Sequence, residues 1–353
     1  MSVVNIGWPC TVARRPPPFF SQISFISTRL HWRISKHSTL NKSSVTMAFT
    51  RRRPSLAVSA AALLFVVLIS FLLAGPASAQ GKTGQVTVFW GRHRDEGSLR
   101  EACDSGLYSM VIMSFLDVYG GNGNGNYHLD LSGHPFAGMG AAIKRCQFLG
   151  VPVSISIGGF GGAYSLPTNQ SALALFDHLW NTYFGGSLND TRHPFGDAWL
   201  DGVDMFLEHG DAADRYSTLA LELAKHNIRA GDGKLLHLTA TAHCRFPDDR
   251  VKEALDTGIF ERIHVRFYDD PDCAAGFSAA EWAKWAAAYP FTKIYVGVPA
   301  SPQAAETGYT DPAALRRAVL PVAQKASNYG GVMIWDRYFE KRSNYSGSIK
   351  SWV

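Results

Sequence analysis

Asp201-Gly202-Val203-Asp204-Met205-Phe206-Leu207-Glu208 is the stretch on which the reading of the whole chain turns. Side chains alternate along a strand, so Asp204, Phe206 and Glu208 share one face of it. Taken alone, it is an ordinary buried strand whose acids find partners inside the fold. If that face lines the interior of a barrel, Glu208 stands at a catalytic rim with Asp204 below it.

The flanking sequence favours the barrel. Short apolar runs recur at 85–90, 110–117, 151–157, 202–208, 235–242, 264–268, 294–298 and 331–335. Helical periodicity fills intervals between them, as at 171–184, 213–226, 279–288 and 312–326. Eight strands, each with a helical segment to follow, predict a single (β/α)8 TIM barrel of the α/β class. A doubly wound sheet would place a Gly-rich phosphate loop after the first strand, and none is present. The run from Gly120 to Asn126, alternating Gly and Asn, reads as a flexible loop after the second strand. No linker divides the barrel.

The 353 residues are 46% hydrophobic and 18% charged, which excludes a disordered chain. The net charge of +5 is misleading, because residues 1–79 hold nine Lys or Arg and no acid. Setting those nine aside from the 34 basic residues leaves 25 against 29 acidic ones, a net of −4. The basic balance therefore gives no support to nucleic-acid binding. Met47 opens a second possible start, followed by Arg51-Arg52-Arg53, an apolar run and Pro76-Ala77-Ser78-Ala79. That order predicts a secretory signal over 47–79, cut after Ala79, in preference to a membrane anchor. Residues 1–46 read as an upstream segment outside the fold, and 80–353 as the barrel domain of an extracellular protein, without a membrane span after cleavage.

Cys10 goes with the leader and leaves Cys103, Cys146, Cys244 and Cys273. An even number in a secreted chain favours two disulfides, for which three pairings exist. Proximity along the chain selects Cys103–Cys146 and Cys244–Cys273. The spacing fits no zinc motif, so no metal or cofactor is expected. Asn169, Asn189 and Asn344 open N-x-S/T sequons and are candidate glycosylation sites.

The opening stretch resembles the D-G-x-D-x-D-x-E signature of glycoside hydrolase family 18. Further matches follow in order. Ser156-Ile157-Gly158-Gly159 is similar to the family's S-x-G-G, and Phe267-Tyr268-Asp269-Asp270-Pro271-Asp272-Cys273 resembles a sequence of plant class III chitinases. Trp90-Gly91 with Glu96-Gly97-Ser98-Leu99, Val298-Pro299-Ala300-Ser301-Pro302 and Met333-Ile334-Trp335-Asp336-Arg337-Tyr338 match the first, seventh and eighth strands. The resemblance implies substrate-assisted glycoside hydrolysis, in which Glu208 would be the acid. It also implies that the site is degenerate. Phe206 stands where the family has the Asp that orients the substrate's N-acetyl group, and Phe160 where active members have Gly. Arg266 and His93 replace Gln and Asn. Glu208 and Asp204 would then be vestigial, and Tyr268 and Trp335, similar to the family's sugar-contacting aromatics, would remain as packing. Little or no chitinase activity is expected.

Within the class III branch, residues 81–91, 201–210, 213–216 and 219–229 resemble a cereal group that binds and blocks microbial xylanases. That resemblance places the inhibitory Arg of the group at Arg229, facing family 11 xylanases, whose cleft carries two carboxylates that a guanidinium can pair with. A cation near a helix C-terminus also simply favours the helix dipole. The group's contact with family 10 xylanases uses a Lys near the start of the seventh helix. Thr310-Asp311-Pro312-Ala313-Ala314-Leu315 lacks one, although Arg316 and Arg317 lie nearby. The leading expectation is a monomeric, secreted xylanase inhibitor of plant defence. An active chitinase or lysozyme-like hydrolase, and a lectin or storage protein with weak chitin or oligosaccharide binding, are the alternatives.

Overall fold

The computed structural model describes residues 81–186, 193–226 and 235–353. Eight parallel strands form the sheet: β1 (Val86–Trp90), β2 (Met110–Gly120), β3 (Val153–Gly159), β4 (Gly202–Leu207), β5 (His237–His243), β6 (Arg262–Arg266), β7 (Lys293–Pro299) and β8 (Tyr329–Trp335). Each pairs with the next, and β1 pairs with β8 as well as β2, through Val88↔Ile334 and Val88↔Val111. The sheet is closed, and the expected (β/α)8 barrel is what forms. The predicted segments 1–46 and 47–79, with Cys10, lie outside the described residues.

Helices separate the strands: α1 (Leu99–Asp104), α2 (Met139–Phe148), α3 (Asn169–Tyr183), α4 (Tyr216–Lys225), α5 (Asp249–Leu255) and α6 (Ala279–Ala288). In α7, Pro312–Ala314 leads into a π-helical turn, Leu315–Val319, and then Leu320–Ala323. Pro321 cannot donate a backbone hydrogen bond, and the Leu320 N–H reaches back to the Leu315 carbonyl. α8 (Arg337–Ser343) and α9 (Tyr345–Ile349) close the chain. Helix starts follow capping chemistry. Ser98, Thr168, Asp248, Ser278, Asp311 and Asp336 each accept a backbone N–H of the first turn.

Alternation along the strands sorts side chains into two layers. On β4, Val203, Met205 and Leu207 join the large apolar layer between sheet and helices. Phe206 points the other way and packs inside the barrel with Phe89, Met110, Ile112, Phe115, Tyr268, Tyr295, Met333 and Trp335. Below it, Asp204 accepts hydrogen bonds from Ser156 Oγ (2.9 Å), Thr239 Oγ1 (2.6 Å) and Thr241 Oγ1 (3.0 Å). His264 Nδ1 also lies 3.5 Å from Asp204, so the buried group is surrounded by polar partners. The two disulfides are Cys103–Cys146, joining α1 to α2, and Cys244–Cys273, joining the end of β5 to the turn after β6.

The predicted strand ends differ by a few residues. β6 begins at Arg262, not 264, and α4 at Tyr216, because Asp211 and Asp214 first tie 211–214 into a turn. Two short strands were not anticipated, His128–Leu129 and Ala163–Ser165, both paired with β2.

Candidate functional site

Parallel strands of a barrel all present their C-terminal ends to one face, and the site lies there. Glu208 follows β4, His243 ends β5, Arg266 ends β6, Tyr268 lies two residues further on, and Trp335 ends β8. Phe160 sits just past β3. These residues, anticipated separately apart from His243, converge on one mouth.

Glu208 Oε1 forms an ion pair with Arg266 Nη1, whose side chain is 1% exposed. Glu208 Oε2 meets His243 Nε2 at 3.1 Å, and His243 Nδ1 meets Asp248 Oδ2 at 3.0 Å. An unbroken line Asp248–His243–Glu208–Arg266 results. The Arg266 guanidinium lies 4.4 Å from the Phe206 ring centroid, a cation–π contact that covers its other side. Burial alone would raise the Glu208 carboxyl. The His243 hydrogen bond and the Arg266 charge override it and hold the group at about 2. Burial likewise opposes a charge on His243, but hydrogen bonds to Asp248 and Glu208 lift it above its ordinary value. A general acid must carry its proton at working pH. Glu208 does not.

Phe206 is wholly buried, with edge or tilted contacts to Phe89, Phe115, Phe160 and Trp335 at 5.0–5.6 Å between ring centroids. Phe160, 51% exposed, leans on Phe115, Phe206 and Trp335 and covers the cleft floor. Tyr268 is buried within the same ring cluster.

Sequence reading missed two supports. His243 occupies on β5 the place Glu208 occupies beyond β4, so a search of strand ends could have found it. Tyr164 carried no such signal. Its hydroxyl accepts from the Glu208 N–H (3.0 Å) and His209 N–H (3.3 Å) and donates to the Gly159 carbonyl (2.8 Å), fixing the turn that aims Glu208.

Across the mouth, buried Glu96 accepts from the backbone N–H groups of Gly91 and His93 (2.9 Å each) and lies 3.2 Å from His134 Nε2. Asp336 caps α8 and approaches His93 Nε2 at 3.5 Å. Burial, then the neighbouring Glu96 charge, push the Asp336 carboxyl up to about 7. Beside Glu208, a groove of about 660 Å³ runs along His243, Arg245, Asp248, Asp249, Asp270 and Asp272.

Arg229 and Asn189 lie outside the described residues. Asn169 is exposed as the first residue of α3, and its Oδ1 accepts from Thr218 Oγ1 at 3.0 Å. Asn344 is exposed with φ 51°. Arg316 lies over Trp352, whereas Arg317 is exposed. Among the described residues, no group of three or more His, Cys, Asp or Glu is placed to hold a metal ion. No helix among them is long and apolar enough to cross a membrane.

The barrel carries an acid after β4 and aromatic residues around its mouth. The sequence profile of glycosyl hydrolases family 18 matches residues 85–308, and the chain belongs to that family. Xylanase inhibitor protein 1 of Triticum aestivum is 60% identical over 302 residues, covering 85% of this chain and 97% of that protein. Xylanase inhibitor protein 1 of Oryza sativa subsp. japonica is 46% identical over 296 residues, covering 82% and 96%. Among solved structures, the xylanase and alpha-amylase inhibitor protein from Scadoxus multiflorus superposes with a TM-score of 0.70 at 35% identity, covering 76% of this chain and 98% of that one.

Proposed function

We propose that this chain is a proteinaceous inhibitor of microbial endo-1,4-β-xylanases, exported to the extracellular space for plant defence and built on a catalytically silent family 18 barrel. The observation that carries the reading is the state of Glu208. Paired with Arg266 and His243 and held at about 2, it cannot donate a proton to a leaving group. Phe206 occupies the place where the resemblance calls for an Asp, so positioning of an N-acetyl group and stabilisation of developing positive charge are both lost. Phe160 fills the space a sugar ring would take. The positive half of the reading rests on the wheat inhibitor, almost all of which aligns with this chain at 60% identity.

Family 11 enzymes are the preferred targets, through Arg229 as a fork-shaped partner for cleft carboxylates. Family 10 enzymes are not favoured, because no Lys opens α7.

Titrating a fungal family 11 xylanase with the purified protein tests this. Residual xylanase activity is expected to fall with added protein, and Arg229→Ala to abolish that fall while the fold, read by circular dichroism, is unchanged. Absence of inhibition across several such enzymes sinks the proposal. Hydrolysis of a soluble chitin oligomer, dependent on Glu208, would restore the chitinase reading, and retention on chitin without hydrolysis the lectin one.

A further inference from the structure

The loop after β2 holds two Asn-Gly pairs, Asn122-Gly123 and Asn124-Gly125, that the proposed function does not use. Asn-Gly is the sequence in which an asparagine side chain is most open to attack by the next backbone nitrogen, because glycine puts no side chain in the way. The fold treats the two pairs very differently.

Asn122 is tied down. Its N–H donates to Ser165 Oγ (3.0 Å) and its Nδ2 donates to the Tyr164 carbonyl (3.3 Å). The attacking nitrogen of this pair, on Gly123, already donates to the Tyr119 carbonyl (3.2 Å). Gly123 is buried, and a Cβ there would lie 2.8 Å from the Tyr119 backbone. Neither the nucleophile nor the amide can reorient without opening the loop.

Asn124 lacks two of these restraints, the side-chain hydrogen bond and the engaged glycine nitrogen. It is exposed, and among the described residues its side chain makes no hydrogen bond; only its N–H is engaged, with the Gly121 carbonyl at 3.3 Å. Gly125 is exposed too, its N–H has no acceptor among the described residues, and a Cβ there would meet nothing within 4 Å. Both residues have positive φ, 50° and 80°, from which the glycine can rotate freely.

We propose that Asn124 is a site of spontaneous deamidation, and that Asn122 is protected from it by the fold. The deprotonated Gly125 nitrogen attacks Asn124 Cγ. The new C–N bond closes a five-membered succinimide, the Cγ–Nδ2 bond breaks, and ammonia leaves. Water then opens the ring at either carbonyl, giving aspartate or isoaspartate. No oxidant or reductant is involved. Each event adds one carboxylate to the barrel face that carries Glu208, and isoaspartate also lengthens the main chain of the turn. The protein would therefore age into acidic forms, whatever its partner.

The test is peptide mapping by mass spectrometry, with a fragmentation method that separates aspartate from isoaspartate, after incubating the folded protein in mildly alkaline buffer. The same measurement is made on the reduced chain in urea. In the folded protein Asn124 is expected to convert roughly tenfold faster than Asn122 or more, since the Asn122-Gly123 pair must first break its three hydrogen bonds. In urea the two rates should converge. Isoelectric focusing of the folded protein should show an acidic satellite band that Asn124→Gln removes. Equal rates in the folded protein, a preference for Asn124 that persists in urea, or no reaction at Asn124 when folded would each overturn the proposal.

Discussion

Arg266 is held between the Glu208 carboxylate and the Phe206 ring. The guanidinium supplies the charge that keeps the carboxylate ionised, and the ring on which it stacks leaves no acceptor for the rest of its donors. Such a pair is asymmetric: removing one member of a buried ion pair strands the other. Glu208→Ala is therefore expected to destabilise the protein by about 3–5 kcal/mol in urea unfolding, while the double variant Glu208→Ala with Arg266→Met recovers most of that loss. Equal destabilisation in both variants would mean that the ion pair is incidental. The pH dependence follows from the same contacts. The folded value of about 2 lies below the ordinary 4.5, so Glu208 contributes stability above 4.5 that is lost as pH falls through 2. Glu208→Gln should flatten the stability profile in that interval. Phe206→Asp with Phe160→Gly is not expected to revive chitin hydrolysis, because Arg266 still holds the acid without its proton. Appreciable turnover by that pair would show that the ion pair yields to substrate.

At the scale of elements, the sequence was legible where alternation was clean. All eight strands were anticipated because each carries a compact apolar run of strand length. The start of β6 was read two residues late, since Arg262 at its head resembles loop, yet its guanidinium lies over the Tyr295 ring. Ala163–Ser165 was missed because Gly161-Gly162 just before it suggests irregular chain, and only closure of the barrel brings it against β2. The site shows the same division. Arg266 could be singled out by resemblance, but its contact with Glu208 depends on two strands being curled to a common mouth, which no local pattern encodes. Helix α8 offers a separate test. Asp336 caps it, and its carboxyl is raised to about 7 from 3.8. A carboxyl so raised contributes stability that is present below 3.8 and lost as pH rises through 7. Asn is as good a cap. Asp336→Asn should keep α8 and remove the decline in melting temperature over that interval; an unchanged slope would place the titration elsewhere.

The described residues form a single closed sheet wrapped in helices, and the two disulfides among them lie outside that closure. Cys103–Cys146 spans 43 residues between neighbouring helices, so replacing both cysteines by Ser is expected to cost about 2–4 kcal/mol, measured by thermal unfolding. Cys244–Cys273 lies beside the groove at the mouth, where its loss should loosen the His243 and Asp270 loops more than it lowers global stability.

The polarity of the barrel has one more consequence. Glu208 and its partners stand where strands finish, whereas α4 finishes and β5 begins at the opposite end. Surfaces a barrel's length apart share few contacts, and changes at one add to changes at the other almost independently. Loss of sugar chemistry at the mouth therefore need not disturb the surface at the other pole.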